Sequence, residues 1–516
     1  MEFLIQERFF LTFPPYPPLL CPFCHLRLPS FFASYPDLYR AERERSLSLL
    51  QLMNSEGVVP TPDKEIKRRN AVDSLKKIVK QWVKRVAHRR GCPKSCIREA
   101  SATILIYGSY GLGVDDHESD VDALCVGPCF ATMDEDFFIV LRNMLASRPE
   151  VSELICVKDA RVPLMRFNFD GVPIDLPYAK LSTVHIPENV DVLNPFFLAN
   201  IDEVSWRSLS GLRVNKSILQ FVPNIEVYQL LLRCVKFWAK RRGIYGHCFG
   251  FFGGVHLAVL AAFICWRHPN SQLSALVSIF FQTFAFWPWP APVVLGEMMP
   301  STQNHAVLER LLMPIQFPCS SSEYCYSNIT RSTFNRIGKE FLRAHALTKG
   351  ILQQQDFEWS LLFEPHVHAK EYQWFLKICV STHRPDKLAE WVGWVKSRFR
   401  CLIIKLEELQ WFCDPNPREL CAGGGGGTRP HVAFYWGLGR SGDEVDIKSI
   451  RSGFVKTVSN GYEGHIGMIE LAVVAAAELP LRKNEGIIII DGTKLACPPW
   501  ALGGCGRSRW NDCLES

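Results

Sequence analysis

The chain has 516 residues, which is enough for two to four domains, and its 47% hydrophobic and 21% charged residues exclude a disordered protein. A net charge of +6 permits contact with nucleic acid without requiring it, because the clustering of charge matters more than its total. Nineteen scattered cysteines without a secretory signal pattern favour reduced thiols. Two cysteine pairs have the spacing of zinc ligands but lie far apart in different contexts: Cys21 with Cys24, and Cys92 with Cys96.

The N-terminal part of the chain precedes any recognisable site. Residues 1–38 are predicted to be an ill-defined extension, because prolines interrupt their apolar run. Residues 39–70 are predicted to be helical and to pack on a central domain. A long basic amphipathic helix over 63–88 follows from the spacing of its apolar residues.

The stretch 104–127 carries the first candidate site. Its pattern predicts an apolar strand, a glycine-serine turn and a second strand that bears Asp120 and Asp122. Alternate strand residues share a face, so the two carboxylates converge, which suits divalent cations. The Gly108-Ser109 turn offers backbone N–H groups to a phosphate. An Asp-x-Asp pair alone is more often a solvated strand end, so a catalytic interpretation requires a third carboxylate.

Asp175 supplies that third carboxylate. It lies in a predicted strand that begins at Val172 and is stopped by Pro177. Residues 71–204 are therefore predicted to be a small α/β catalytic domain, which also contains a helix over 134–146 and strands near 155–157 and 162–169.

Residues 205–362 are predicted to form a mainly helical domain. The segment 228–242 places Lys236 and Lys240 four residues apart on one helix face, with Tyr245 just beyond it. Two cations beside a tyrosine could clamp a polyphosphate. The alternative is an ordinary amphipathic helix with solvated lysines.

The stretch 243–266 contains no Asp, Glu, Lys or Arg and could be mistaken for a membrane span. Glycines and two histidines interrupt it, and its continuous apolar part is only about 12 residues long, so we predict a buried helix and no membrane span. The Gly253-Gly254 pair before that helix allows close backbone approach to a ligand, or only a tight turn.

Residues 363–480 are predicted to be an α+β module of RNA-recognition shape without the aromatic signature of base stacking. The predicted elements are a helix over 385–399, a strand over 402–406, a flexible loop over 423–427, a strand over 431–438 and a helix over 447–459. The tail 481–516 has no clear structural logic.

These motifs together resemble the eukaryotic poly(A) polymerases, a branch of the polymerase-beta-like nucleotidyltransferases. The resemblance covers about 43–472 in unbroken order. It rests on Tyr107-Gly-Ser-Tyr-Gly-Leu-Gly with Ser119-Asp-Val-Asp122, Arg233-x-x-Lys236-x-Trp-Ala-Lys240-Arg-Arg-Gly-Ile-Tyr245, Gly250-Phe-Phe-Gly-Gly254-Val255, Asn328-Ile-Thr-Arg-Ser-Thr and Trp391-x-Gly-Trp-Val. The sequence looks most like a shortened plant form.

The resemblance implies a nucleotidyltransferase domain, a helical central domain and an RNA-recognition-like C-terminal domain, with ATP bound between the first two. Asp120, Asp122 and Asp175 would hold two Mg²⁺ or Mn²⁺ ions. Asp175 would also help to activate the 3′-hydroxyl of the RNA. The implied reaction adds AMP from ATP to an RNA 3′ end and releases pyrophosphate.

The resemblance also assigns the contacts with ATP. Gly108 and Ser109 would receive phosphate oxygens, with Tyr107 beside them. The remaining nucleotide contacts would be Lys236, Lys240, Tyr245, Gly254 and Val255.

The sequence departs from the family pattern at several positions. Gly111 stands where the family has Arg, and Ser210 and His247 stand where it commonly has Asn. An acidic stretch, 115–118, replaces a glycine-rich one and places extra negative charge beside the triphosphate site, and the loop 290–312 lacks a Trp-Asp-Pro-Arg element.

These departures leave two alternatives to the adenylating enzyme: a catalytically weak relative that binds RNA or a partner, and a nucleotidyltransferase that prefers UTP or CTP. The expected partners are the 3′ end of an mRNA, ATP and 3′-end processing factors, and a monomer is expected. The family implies the nucleus, whereas the missing basic C-terminal extension leaves the cytoplasm open.

Overall fold

The computed structural model describes residues 35–116, 119–296, 310–320, 322–350, 357–422, 430–439, 447–462, 464 and 466–480. The chain divides into two compact units, Met1–Ala41 and Glu42–Ser516. In the first unit the described residues are the opening turns of helix α1 (Tyr35–Ser55). All later elements belong to the second unit. The predicted tail and nearly all of the predicted N-terminal extension lie outside the described residues.

A mixed five-stranded sheet organises the first part of the second unit. Its strands are β1 (Thr103–Tyr107), β2 (Val121–Gly127), β3 (Val151–Val157), β4 (Leu164–Phe169) and β5 (Val172–Lys180). They are ordered β1-β2-β5-β4-β3, with β2 and β5 parallel and the other neighbours antiparallel. The parallel pair matters most, because it carries the candidate carboxylates.

Helices precede, interrupt and follow these strands. They are α2 (Pro62–Arg89), α3 (Lys94–Glu99), α4 (Gly108–Gly111), a π-helix (Met133–Leu141) continued by α5 (Arg142–Ala146), α6 (Pro195–Leu198) and α7 (Glu203–Phe221). The predicted helix over 63–88 is therefore present as α2. The predicted helix over 134–146 is present in two parts, of which the first has the wider π geometry.

Different helices cover the two faces of the sheet. On one face, Val121 and Ile174 are fully buried against α2 and the π-helix, and the Trp82 indole N–H donates to the Asp136 carbonyl at 2.8 Å. On the other face, Leu124 is fully buried in a core shared with Leu209 of α7. Because strand side chains alternate, the carboxylates of β2 and β5 point to the α7 face.

Strand β5 corrects one prediction, because it does not stop at Pro177 but continues to Lys180. Pro177 lies opposite Leu164, where the ladder with β4 ends. The ladder with β2 has no pairing at Leu176 and Pro177 and resumes at Tyr178. Proline cannot donate a ladder hydrogen bond, and here it lies where one ladder ends and the other is interrupted.

The middle of the chain is helical. Its long helices are α8 (Ile225–Arg241), α9 (Gly254–Arg267), α10 (Leu273–Ala285) and α11 (Arg331–Thr348). Trp238 of α8 stacks on Phe341 of α11 with ring centroids 5.5 Å apart. Helix α9 is the buried helix predicted inside 243–266, and it has 14 residues. Among the described residues, no helix combines the length and apolarity that a bilayer crossing needs.

The C-terminal part is an antiparallel sheet with helices packed against it. Its elements are α12 (His368–Glu371), β6 (Trp374–Ser381), α13 (Leu388–Lys396), α14 (Phe399–Glu408), β7 (Phe412–Asp414), β8 (Leu420–Ala422), β9 (His431–Gly439), α15 (Ile447–Ser459) and β10 (Met468–Ala475). The strand order is β10-β6-β9-β7, with β8 also paired to β9. This arrangement confirms the predicted fold class of α/β and α+β parts joined by a helical middle.

Helix α14 corrects a second prediction, because the segment 402–406 was predicted as a strand. The run Cys-Leu-Ile-Ile is apolar and β-branched, which is typical of a buried strand. Its buried residues are nevertheless Phe399, Leu402, Ile403 and Leu406, all of them fully buried. That spacing of three, one and three residues is helical. The predicted helix 385–399 is shorter, since α13 follows a single 3₁₀ turn and ends at Lys396. The predicted loop 423–427 lies outside the described residues.

Candidate active site

The structure places the three predicted carboxylates at one edge of the sheet, on or next to the two parallel strands. Asp122 of β2 is directly paired with Asp175 of the parallel neighbour β5. Asp120 immediately precedes β2, two residues before Asp122 and therefore on the same side of the strand. Three carboxylates at one sheet edge form the oxygen-rich ligand set that Mg²⁺ and Mn²⁺ prefer.

The electrostatics of this acidic triad fit a cation. Burial and the charge of Asp175 raise the pKa of Asp120, because a buried carboxylate beside a second negative charge is harder to ionise. A divalent ion between them would remove that repulsion. The residues present therefore fit the divalent metal that the family resemblance implies.

Arg166 of β4 is a residue that the sequence interpretation missed. It lies opposite Asp175 in the antiparallel ladder, and its Nε and Nη2 donate to the two Asp175 oxygens, each at 2.7 Å. The contact fixes the orientation of the Asp175 carboxylate. Met165 and Phe167 are buried in the core, so strand alternation could have placed Arg166 on the carboxylate face.

The Gly108-Ser109 turn packs directly against the triad. Gly108 has φ +66°, and a Cβ atom there would overlap the Asp122 carboxylate. The Gly108 carbonyl accepts a hydrogen bond from Asn215 of α7 at 2.9 Å. Tyr107 ends β1 opposite Asp122. The turn is therefore fixed by α7 on one side and by the triad on the other.

The predicted lysines lie on α8 beside the loop that connects α4 and β2. Lys236 is 8% exposed, its Nζ donates to the Val114 carbonyl at 3.0 Å, and burial lowers its pKa to about 8. Lys240 forms an ion pair with Asp116 of the same loop. The charge of Asp116 in turn contributes to the raised pKa of Asp120. The loop that carries Asp116 therefore lies between the lysines and the triad in electrostatic terms.

Tyr245, Gly254 and Val255 complete the predicted nucleotide site. Lys240 Nζ lies 5.6 Å from the centre of the Tyr245 ring. Gly254 begins α9, and a Cβ atom there would lie 3.3 Å from the Tyr245 hydroxyl. Val255 is half-buried in the first turn of α9. The Tyr245 hydroxyl therefore lies close to the start of helix α9.

Comparisons with known proteins decide the family. Three family models match in order: the poly(A) polymerase nucleotidyltransferase domain over 35–222, the poly(A) polymerase central domain over 227–365, and the poly(A) polymerase predicted RNA binding domain over 368–413. Nuclear poly(A) polymerase 3 of Arabidopsis thaliana is 55% identical over 440 residues, which are 85% of this chain and 85% of that protein. The chain belongs to the poly(A) polymerase family. It is a nucleotidyltransferase.

Other relatives of this family member are longer proteins. Nuclear poly(A) polymerase 1 of Arabidopsis thaliana is 37% identical over 81% of this chain and 60% of that protein. Poly(A) polymerase of Dictyostelium discoideum is 39% identical over 72% of this chain and 47% of that protein. Among solved structures, the RNA terminal uridylyl transferase Cid1 is 16% identical over 63% of this chain and 99% of that chain, with a TM-score of 0.46. That likeness is too weak to bear on function.

The acidic stretch that departs from the family pattern is neutralised where the structure describes it. Asp115 is 3% exposed and pairs with Arg68 of α2, and Arg233 of α8 lies 3.8 Å from its second oxygen. Asp116 pairs with Lys240, and this pairing contributes to a pKa well below the usual value despite burial. The expected surplus of negative charge beside the triphosphate site is therefore balanced at these two residues.

The three single-residue departures lie in different structural surroundings. A Cβ atom at Gly111 would lie 2.9 Å from the Ile106 carbonyl oxygen, so a side chain requires the backbone to move. Ser210 is exposed on α7, and its hydroxyl donates to the Arg207 carbonyl at 2.7 Å. His247 Nε2 lies 2.9 Å from the Tyr326 carbonyl oxygen. Most of the divergent loop 290–312 lies outside the described residues.

Proposed function

We propose that this poly(A) polymerase adds AMP from ATP to the 3′ end of RNA without a template and releases pyrophosphate. The observation that carries the proposal is the pairing of Asp122 with Asp175 on parallel strands, with Asp120 two residues away. The family membership supports adenylate as the unit added. The shared edge of β2 and β5 is the place where we expect the α-phosphate of ATP and the RNA 3′-hydroxyl to meet.

The acidic triad is proposed to hold two Mg²⁺ or Mn²⁺ ions. Bound there, such ions would act as Lewis acids on the transferred phosphoryl group and the leaving pyrophosphate. The Asp175 carboxylate is proposed to accept the proton of the 3′-hydroxyl, and Arg166 keeps that carboxylate in one orientation by donating to both of its oxygens. The turn at Gly108 and Ser109, beside Tyr107, is proposed to receive phosphate oxygens through backbone N–H groups.

The helices α8 and α9 are proposed to bind the rest of ATP. Lys236 and Lys240 would act as point charges for the triphosphate, and Asp116 has to release Lys240 before a phosphate can take its place. Tyr245 and the backbone of Gly254 and Val255 would form the side of the cleft against which adenine lies.

A primer-extension assay tests this proposal. Purified chain is incubated with a short RNA primer, labelled ATP and Mg²⁺ or Mn²⁺, and extension is expected only when a divalent ion is present. A matched primer that ends in a 3′-deoxynucleotide should not be extended, because it lacks the attacking hydroxyl. Failure to extend the normal primer with either ion would contradict the proposal.

The biological setting is also a proposal. Relatives named nuclear poly(A) polymerases support a role in the nucleus on mRNA 3′ ends. The match to a predicted RNA binding domain supports RNA as the macromolecular partner. Immunofluorescence of the tagged chain would test the compartment, and a cytoplasmic signal would contradict it.

A further inference from the structure

A second group of ligand-type side chains lies outside the acidic triad, on different elements. It consists of His366, His368 at the start of α12, and Asp414 at the end of β7. The three residues are 9%, 4% and 0% exposed, and their ligand atoms all lie within 4.8 Å of one another. These separations are short enough for the three side chains to share one ion.

Three polar atoms of this histidine cluster lack a well-formed hydrogen bond within the protein. His366 Nε2, His368 Nε2 and Asp414 Oδ1 are buried and have no hydrogen-bond partner. A buried polar atom without a partner lowers the free energy of unfolding by about 1–3 kcal/mol. Three such atoms together therefore destabilise the fold unless a ligand binds them. Each Nε2 lies 3.4 Å from Asp414 Oδ2, which is longer than the usual N–H···O hydrogen bond of about 2.7–3.2 Å.

These distances fit a tetrahedral ion. With bonds of about 2.0–2.1 Å, two ligand atoms of a tetrahedral zinc ion are about 3.3–3.4 Å apart, whereas adjacent ligands of an octahedral ion with the same bonds are about 2.9 Å apart. Both observed separations from Asp414 Oδ2 have the tetrahedral value. Two imidazoles and one carboxylate also form a ligand set that zinc accepts and magnesium does not prefer.

The surroundings supply the outer contacts that metal sites use. Glu371 Oε1 lies 3.5 Å from Nδ1 of His366, the ring nitrogen that faces away from the cluster. A carboxylate on the second nitrogen is the usual partner of a metal-binding histidine. Arg336 Nε donates to Asp414 Oδ2 at 3.2 Å and fixes that carboxylate.

The charged side chains around the histidine cluster limit its affinity for a divalent ion. Arg242 and Arg336 are balanced by Glu340 and Asp414, so a divalent ion adds two positive charges, which Glu371 offsets only in part. The experiment therefore adds zinc rather than relying on metal retained through purification.

We propose that His366, His368 and Asp414 form a zinc site that fastens the segment 366–368 to strand β7 of the C-terminal sheet. The His366 amide N–H donates to the Arg241 carbonyl at the end of α8, so the ion would tie that sheet to the helical middle of the chain. Its fourth ligand would be water or the second Asp414 oxygen. The role is structural, because no residue of the acidic triad or of the proposed nucleotide site takes part.

Zinc binding by difference tests the proposal. The full chain and His368→Gln are dialysed against zinc, and bound metal is measured by mass spectrometry; the unmodified chain should retain about one zinc ion more per chain. His345→Gln is the matched control, since His345 Nδ1 is also buried without a partner but belongs to no such cluster among the described residues. It should retain as much zinc as the unmodified chain. Equal zinc in His368→Gln and the unmodified chain would overturn the proposal.

Cobalt spectroscopy provides a second test of the zinc site, which does not depend on the folding of the His368→Gln variant. The chain used carries Asp120→Asn and Asp122→Asn, which prevent metal binding at the triad and leave the histidine cluster intact. Co²⁺ is added to this chain. The proposal predicts the visible bands of a tetrahedral site without the thiolate charge-transfer band that a cysteine site would give. Weak octahedral bands only, or a thiolate band, would overturn it. Zinc should also raise the melting temperature of this chain, and no shift would count against the structural role.

Discussion

The acidic triad and the histidine cluster are both groups of ligand-type side chains, and they differ in chemistry and exposure. The triad is made of carboxylates, and the Asp175 side chain is 17% exposed. The histidine cluster contains two imidazoles around Asp414, which is completely buried. An open, oxygen-only site allows ions and substrates to exchange with solvent during turnover, whereas a closed site of mixed ligands suits an ion that stays in place.

The difference extends to the arginines that accompany each group. Arg166 contacts Asp175 from a neighbouring strand and donates to both of its carboxylate oxygens. Arg242 and Arg336 both pair with Glu340, and all three side chains are about 5–7% exposed. The ion pairs near the histidine cluster therefore hold helices and strands together, whereas the triad is proposed to take part in the reaction. The predictions below separate activity from stability on this basis.

The largest effect is expected from Asp122→Ala. The variant should lose extension activity by about 10³-fold or more, because ligation of the metals is worth several kcal/mol in the transition state. Its melting temperature should not fall, since the substitution removes one of several crowded negative charges. Asp73→Ala, in the exposed surface of α2, should retain full activity. Substantial activity of Asp122→Ala in steady-state assays would show that the triad is not the catalytic site.

Glu340→Gln should reduce stability and leave ATP binding unchanged, which is the opposite of the effect expected for Asp122→Ala. It breaks a buried carboxylate pairing with Arg242 and Arg336, which should lower the free energy of unfolding by about 3–5 kcal/mol. The KM for ATP of the folded fraction should remain unchanged. Glu364→Gln is the control, because its pairing with Arg343 is exposed and worth at most about 1 kcal/mol. Urea unfolding measures both, and equal losses would contradict the distinction between buried and exposed pairs.

The pH dependence should report Lys236. Burial lowers its pKa to about 8, so the ammonium is charged below that pH and neutral above it. If the charge binds the triphosphate, kcat/KM for ATP should fall by up to about tenfold between pH 8 and pH 9. Lys236→Arg keeps its charge over this range, so its profile should not show that fall. Identical profiles in the two proteins would exclude Lys236 as the titrating group.

Asp116→Asn should have the smallest effect. Removing the carboxylate ends its ion pair with Lys240, so the KM for ATP should fall, by about fivefold at most, because a partly exposed pair is worth at most about 1 kcal/mol. Asp115→Asn should instead reduce stability, since that carboxylate is buried beside Arg68. Steady-state kinetics across ATP concentrations measures the first effect. An increase in KM would mean that Asp116 assists nucleotide binding.

The acidic triad could be predicted from the sequence because the strand pattern around each carboxylate is local. Asp120 and Asp122 follow a strand pattern, and Asp175 lies in a similar apolar segment about fifty residues later. Arg166 could have been found from the alternation in β4. The histidine cluster could not, because His368 and Asp414 are brought together only by the packing of α12 against the C-terminal sheet.

The misinterpreted elements have equally physical reasons. Pro177 predicted a strand end, but the ladder with β2 skips that position and resumes at Tyr178, while the ladder with β4 ends at the Leu164–Pro177 pair. The run 402–406 has the composition of a strand, and its helical spacing is visible only when Phe399 is included. Local composition determined neither the end of β5 nor the helical conformation of 402–406, because contacts with the rest of the fold decided both.

The most direct test of the account is a competition among the four nucleotides. Purified chain is incubated with an RNA primer, Mg²⁺ and equimolar ATP, UTP, CTP and GTP, and the added tails are sequenced. A poly(A) polymerase should add tails composed almost entirely of A, and the Asp122→Ala variant should add none. Tails rich in U or C, or nucleotide and RNA binding without any extension, would contradict the account.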